Sequence, residues 1–149
     1  MTADSISILN QLLQITKDSE EGFRTAANNV KDAHLKSTFL EKADSCSLAI
    51  RDLQNKIKEM HGVPEEKGTF LGALHRGWVN IKGTLMGKDD LAILEECERG
   101  EDVIKETYAK VLESALSEQI RPLIQEQYEG VGKDHDLIKD LRNKYAENR

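Results

Sequence analysis

Hydrophobic residues along this chain recur at three- and four-residue steps in five stretches, the spacing that lines one face of an α-helix. In the first stretch Ile8, Leu9, Leu12, Leu13, Ile15, Thr16, Phe23, Ala26, Ala27 and Val30 predict a helix over residues 5–30, capped by Asp4 or Ser5. In the second, Leu35, Phe39, Ala43, Cys46, Ala49, Ile50, Leu53, Ile57 and Met60 follow a predicted N-cap at Asp32 and stop before Gly62 and Pro64. The link between them is short, so the two helices are expected to form an antiparallel pair. A third helix opens at Asp89 or Asp90 and buries Leu91, Leu94, Cys97, Glu101, Ile104, Tyr108, Val111 and Leu112. A fourth, over residues 117–145, carries Ile120, Leu123, Ile124, Gln127, Val131, Asp134, Ile138, Leu141 and Tyr145 and tolerates Pro122 in its first turns.

The stretch between the second and third helices is too long for a plain loop. Phe70, Leu71, Leu74, Trp78, Ile81 and Leu85 predict an amphipathic helix over residues 69–86, weakened by Gly72, Gly77 and Gly83. A helix of that length runs about 25 Å at 1.5 Å per residue, enough to return the chain to the end where the second helix began. Helices two and three are then parallel. The prediction is all-α: a four-helix bundle with an additional short crossover helix between helices 2 and 3, and one domain over residues 1–149.

Composition supports this and limits the function. Of 149 residues, 38% are hydrophobic and 32% charged, which suits helices with one apolar face each. The net charge of −6 argues against a nucleic-acid or anionic-membrane binder, because those partners are met by a basic face. No apolar run approaches the roughly 20 residues that span a bilayer. The opening Met-Thr-Ala-Asp-Ser has neither the basic nor the apolar region of a secretory leader, and Cys46 and Cys97 form no CxxC pair. The expectation is a cytoplasmic protein whose cysteines are buried free thiols.

Polar interruptions of the apolar faces are the candidate chemistry. They are Glu20 on the first helix, Glu101 on the third, and Gln127 and Asp134 on the fourth, with His135 beside that face. Three readings stand open. These residues pair among themselves and with Arg24, Arg99 or lysines, as buried carboxylates require. Alternatively they hold iron or manganese through carboxylate oxygens, with Glu20, Glu101, Gln127, Asp134 and His135 as ligands. Or they are simply exposed. A full di-iron set places a glutamate on two helices and Glu-x-x-His on the other two. Here the second helix reads Glu41-Lys42-Ala43-Asp44, and His135 lies too far from Glu129. Glu95, Glu96 and Glu98 are expected on the solvated face of the third helix. No nucleophile triad, phosphate loop or dinucleotide motif is present.

The strings Glu20-Glu21-Gly22-Phe23-Arg24, Leu74-His75-Arg76-Gly77-Trp78 and Glu95-Glu96-Cys97-Glu98-Arg99-Gly100-Glu101-Asp102 resemble a bacterial family described as ferritin-like four-helix-bundle proteins of unknown function. The resemblance covers nearly the whole chain. It implies a ferritin-like four-helix bundle with the crossover, and no assigned activity. Within that superfamily Glu20 falls where a first-helix glutamate sits, and Glu101-x6-Tyr108 looks like a step on metal-bearing helices. The missing Glu-x-x-His pair departs from the ferroxidase pattern. The resulting expectation is a non-enzymatic interaction or stress-related protein, assembled as a homo-oligomer, with a dimer favoured. Its alternative is an iron or manganese protein with a reduced carboxylate site.

Overall fold

A computed structural model describes residues 2–65 and 89–147. They form four helices: α1 (Thr2–Asn29), α2 (Ala33–Glu59), α3 (Asp90–Glu113) and α4 (Arg121–Glu147). α1 begins earlier than predicted, so Asp4 lies in its first turn rather than capping it. α4 begins later, because residues 118–120 form a turn that the Ser117 hydroxyl closes by accepting from Gln119 N–H at 3.1 Å. The predicted crossover helix, with His75, Arg76 and Trp78, lies outside the described residues.

Asp32 caps α2 as predicted, accepting from His34 and Leu35 N–H at 2.8 and 3.0 Å. The Asp90 carboxylate accepts from the backbone N–H groups of Lys31 and Asp32 at 2.8 and 2.9 Å. This contact decides the topology. The start of α3 sits against the α1–α2 link, so α2 and α3 begin at the same end and run parallel. α2, with 27 residues, is about 40 Å long at 1.5 Å per residue. The end of α2 and the start of α3 therefore lie at opposite ends of the bundle, the arrangement of a ferritin-like bundle.

The far end of α2 closes differently from the sequence reading. Gly62 N–H donates to Ile57 carbonyl at 2.9 Å and His61 N–H to Lys58 carbonyl at 3.0 Å, the paired bonds of a Schellman motif. The left-handed residue is His61, at φ 64°, and not Gly62. Gly62 serves packing instead: a Cβ there would lie 2.9 Å from Ile6 side-chain carbons.

The core divides into two apolar clusters. One, beside the α1–α2 link, holds Phe23, Phe39, Leu35, Ile93, Leu94, Cys97 and Ile138, with the Phe23 and Phe39 rings 6.1 Å apart. The other, at the opposite end, holds Leu9, Leu12, Leu13, Leu53, Ile57, Tyr108, Ile120 and Ile124. Every helix has a gap between its contributions to the two clusters. Glu20, Cys46, Glu101, Gln127 and Asp134 all fall in those gaps, in a middle layer, whereas buried Ser5, Asn10 and Thr38 lie at the level of the clusters.

Candidate functional site

The middle layer is built from one short segment of each helix, and each predicted residue can be followed to its place. Glu20, on α1, is held by Arg24 one turn later at 3.0 Å and by the Ser47 hydroxyl of α2, which donates to the same oxygen. Arg24 also reaches Asp44 at 3.4 Å and Ser47 at 3.3 Å. This corner is partly open, beside a groove of about 450 Å³ lined by Lys17, Glu20, Arg24 and Ile50 among others. The pairing of Glu20 with Arg24 follows the sequence expectation. Arg99 instead pairs with Glu96 of its own helix.

Asp134, on α4, meets Lys42 of α2, Oδ1 to Nζ, at 2.7 Å. The two side chains keep 23% and 16% of their exposure, so this ion pair is largely shielded from water. Gln127 accepts from the Tyr108 hydroxyl at 2.8 Å and donates to the Ala49 carbonyl at 3.3 Å. It thereby ties α2, α3 and α4 together with its amide satisfied on both sides. His135 turns from this layer toward α3, with 12% of its side chain exposed. Its Nε2 meets Asp102 of α3 and its Nδ1 lies 3.4 Å from Asp136. Beside it Arg142 meets Glu98, Nε to Oε2, at 2.7 Å. Glu98 is thus a cross-helix partner with 16% of its side chain exposed, a correction to its expected place on the solvated face, whereas Glu95 is exposed as expected.

Glu101 is the residue without such a settlement. It keeps 3% exposure, and its Oε2 has no hydrogen-bond partner. Burial, and then the negative charge of Asp134, push its carboxyl up from the ordinary 4.5 to about 8, against the opposing pull of Lys42. Burial also drives the Cys46 thiol well above its ordinary value, helped by the charges of Glu101, Asp134 and Glu20. Cys97 is raised by burial, with Glu101 and Glu96 adding to it. Both cysteines are free and both remain thiols at neutral pH, a state with little nucleophilic character.

Two members of this layer escaped the sequence reading. Lys42 lies seven residues after Leu35, two helical turns on, which places it on the apolar face. Lysine so often marks a surface position that the spacing was the sole signal. Ser47 lies on another side of the same helix, facing α1, and becomes legible once its partner Glu20 is in place.

The family follows from the sequence match. The model of a family described as a domain of unknown function (DUF2383) matches residues 4–114. The chain belongs to this family. No curated protein matches the chain. Among solved structures, the chain is similar to a two-domain protein from Anabaena variabilis with DJ-1/ThiJ/PfpI-like and ferritin-like domains. There the TM-score is 0.80 at 13% identity, over 100% of this chain and 39% of that one. It is also similar to a dodecameric thioferritin, the bacterioferritin-related protein from Bacteroides fragilis. That match has a TM-score of 0.78 at 14% identity, over 99% of this chain and 89% of the other. At such identities the likeness establishes the ferritin-like fold, and chemistry must be argued from the residues.

Those residues do not fit a ferritin-type metal centre. Among the described residues no three His, Cys, Asp or Glu side chains converge where one ion could be held. The donors nearest to that arrangement are already engaged: Glu20 by Arg24 and Ser47, Asp134 by Lys42, and His135 by Asp102. Of the carboxylates of Glu20, Glu101 and Asp134, that of Glu101 keeps an oxygen both buried and without a hydrogen-bond partner.

Proposed function

We propose that this DUF2383 chain is a non-enzymatic ferritin-like bundle that acts through protein contacts, as a homo-oligomer, from the cytoplasm. The observation that carries this reading is the way its interior chemistry is turned upon itself. Lys42 is joined to Asp134 at 2.7 Å, Arg24 to Glu20 at 3.0 Å, and both thiols are held protonated, Cys97 in the core and Cys46 at its edge. Among the described residues of this layer the acids are paired or buried and Cys97 is closed off from solvent, so the surface is left to carry the function. Self-association is supported by the dodecameric state of the structurally similar B. fragilis protein. The dimer is the form proposed here, since two-fold closure is the commonest way for like chains to assemble. A cytoplasmic setting suits two unbridged cysteines. No helix among the described residues is long and apolar enough to cross a membrane.

Light scattering over a concentration series tests the assembly. A defined dimer supports the reading, and a monomer at every concentration contradicts it.

The unpartnered oxygen of Glu101 favours a second reading, a reduced iron or manganese site centred on Glu101 and Asp134. Glu20, Gln127 and His135 would have to leave their present partners to complete it.

A further inference from the structure

Each helix brings one ionisable group to the same level of the bundle: Glu20 from α1, Cys46 from α2, Glu101 from α3 and Asp134 from α4. The charges of Glu101, Asp134 and Glu20 all act on the Cys46 thiol, so three carboxylates lie within electrostatic reach of one point. Buried carboxylates require cations or protons. Glu20 meets Arg24 at the partly open corner. Glu101 lies deeper, and Lys42 acts on both it and Asp134: its ammonium is 2.7 Å from Asp134, and its charge opposes the burial and the acids that act on Glu101.

We propose that Lys42 is a built-in counter-ion: its ammonium, seated on Asp134, takes the place there that a divalent metal ion would need, and it keeps iron and manganese out. This rests on the reading of a self-satisfied interior given above, and it adds a named device to it. The physical case is one of competition. An ammonium tethered to α2 is present at high effective concentration and costs no translational entropy to bind. A metal ion entering from water must shed hydration and also displace Lys42, whose side chain is already mostly withdrawn from solvent. With Lys42 made neutral, two carboxylates and water remain. That is an all-oxygen set suited to manganese(II) or iron(II).

The test uses wild type, Lys42→Met, Lys42→Gln and Lys42→Arg as full chains. Each is incubated with manganese(II), and separately with iron(II) without oxygen, then desalted. Bound metal is counted by mass spectrometry of the elements, and thermal midpoints are recorded with and without manganese(II). Wild type and Lys42→Arg are expected to keep well below about a tenth of an ion per chain, and the neutral variants about one. Manganese(II) should raise the midpoints of the neutral variants and leave wild type unmoved, because an ion that binds only the folded state stabilises it. A neutral variant that folds only when refolded with manganese(II) supports the proposal equally. Wild type retaining about one ion per chain overturns it, whatever the variants do. So does a folded neutral variant as free of metal as wild type. Failure here leaves the light-scattering result untouched, so the counter-ion and the assembly stand or fall separately.

Discussion

Replacing Glu101 by glutamine removes a buried ionisable group while keeping its shape. Its carboxyl titrates at about 8 in the fold, against an ordinary 4.5. The fold therefore binds this proton more tightly than the unfolded chain does. Below the ordinary value both states are protonated, and the residue adds no pH dependence. As pH rises toward 8 the unfolded chain loses the proton and the folded chain keeps it, so stability falls with pH. Above 8 both states are ionised and the whole penalty is in force. One pKa unit corresponds to about 1.4 kcal/mol, so a displacement of this size amounts to a penalty on the order of 3–5 kcal/mol. Glu101→Gln should lack that decline. Urea denaturation followed by far-ultraviolet circular dichroism, at steps between about pH 5 and pH 9, compares the two proteins directly. The expected result is similar stability at the acid end and a glutamine variant increasingly the more stable above it. Parallel curves across the range, or a variant less stable at about pH 9, would refute the reasoning.

His61→Gly should raise stability by about 0.5–1 kcal/mol, since glycine adopts the left-handed conformation without strain. Gly62→Ala should lower the thermal midpoint, because its Cβ would meet Ile6 at 2.9 Å. Asp90→Ala removes the acceptor of the Lys31 and Asp32 N–H groups and should cost about 1–3 kcal/mol in a urea titration. Cys97 should resist an aromatic disulfide reagent in the native protein and react once it is denatured, whereas immediate native reaction would contradict its burial; Cys46, partly exposed but with its thiol held well above the ordinary value, should react slowly in the native protein.

Much of the fold was legible because it follows from apolar periodicity. The Leu35, Phe39, Ala43 and Leu53, Ile57 steps bury as read, and Asp32 caps α2 as read. Parallel α2 and α3 were inferred from a periodic stretch outside the described residues. In the structure, the Asp90 contact with the α1–α2 link establishes that direction. The candidate residues Glu20, Glu101, Gln127 and Asp134 do gather in one layer, because an interruption of an apolar face must lie inside the bundle. Their partners were harder to see. Glu20 meets Arg24 at a helical i, i+4 step that a sequence displays, but Lys42 and Asp134 are 92 residues apart. Which acid a buried lysine faces is decided by helix packing and register. The same reason placed Glu98 wrongly: a run of acids reads as a solvated face until Arg142, from another helix, covers one of them. His135 sits one residue from Asp134, and that step of about 100° turns it from Lys42 toward Asp102.

The central claim is that the carboxylates inside this ferritin-like bundle are balanced by the chain's own cations and by a proton, and not by metal. Elemental analysis of the protein purified from its own host tests this most directly. Iron and manganese are expected far below stoichiometry, unchanged in Glu101→Ala. One or two tightly held ions per chain, roughly the content of a mono- or di-metal carboxylate site, lost on Glu101→Ala, would contradict it.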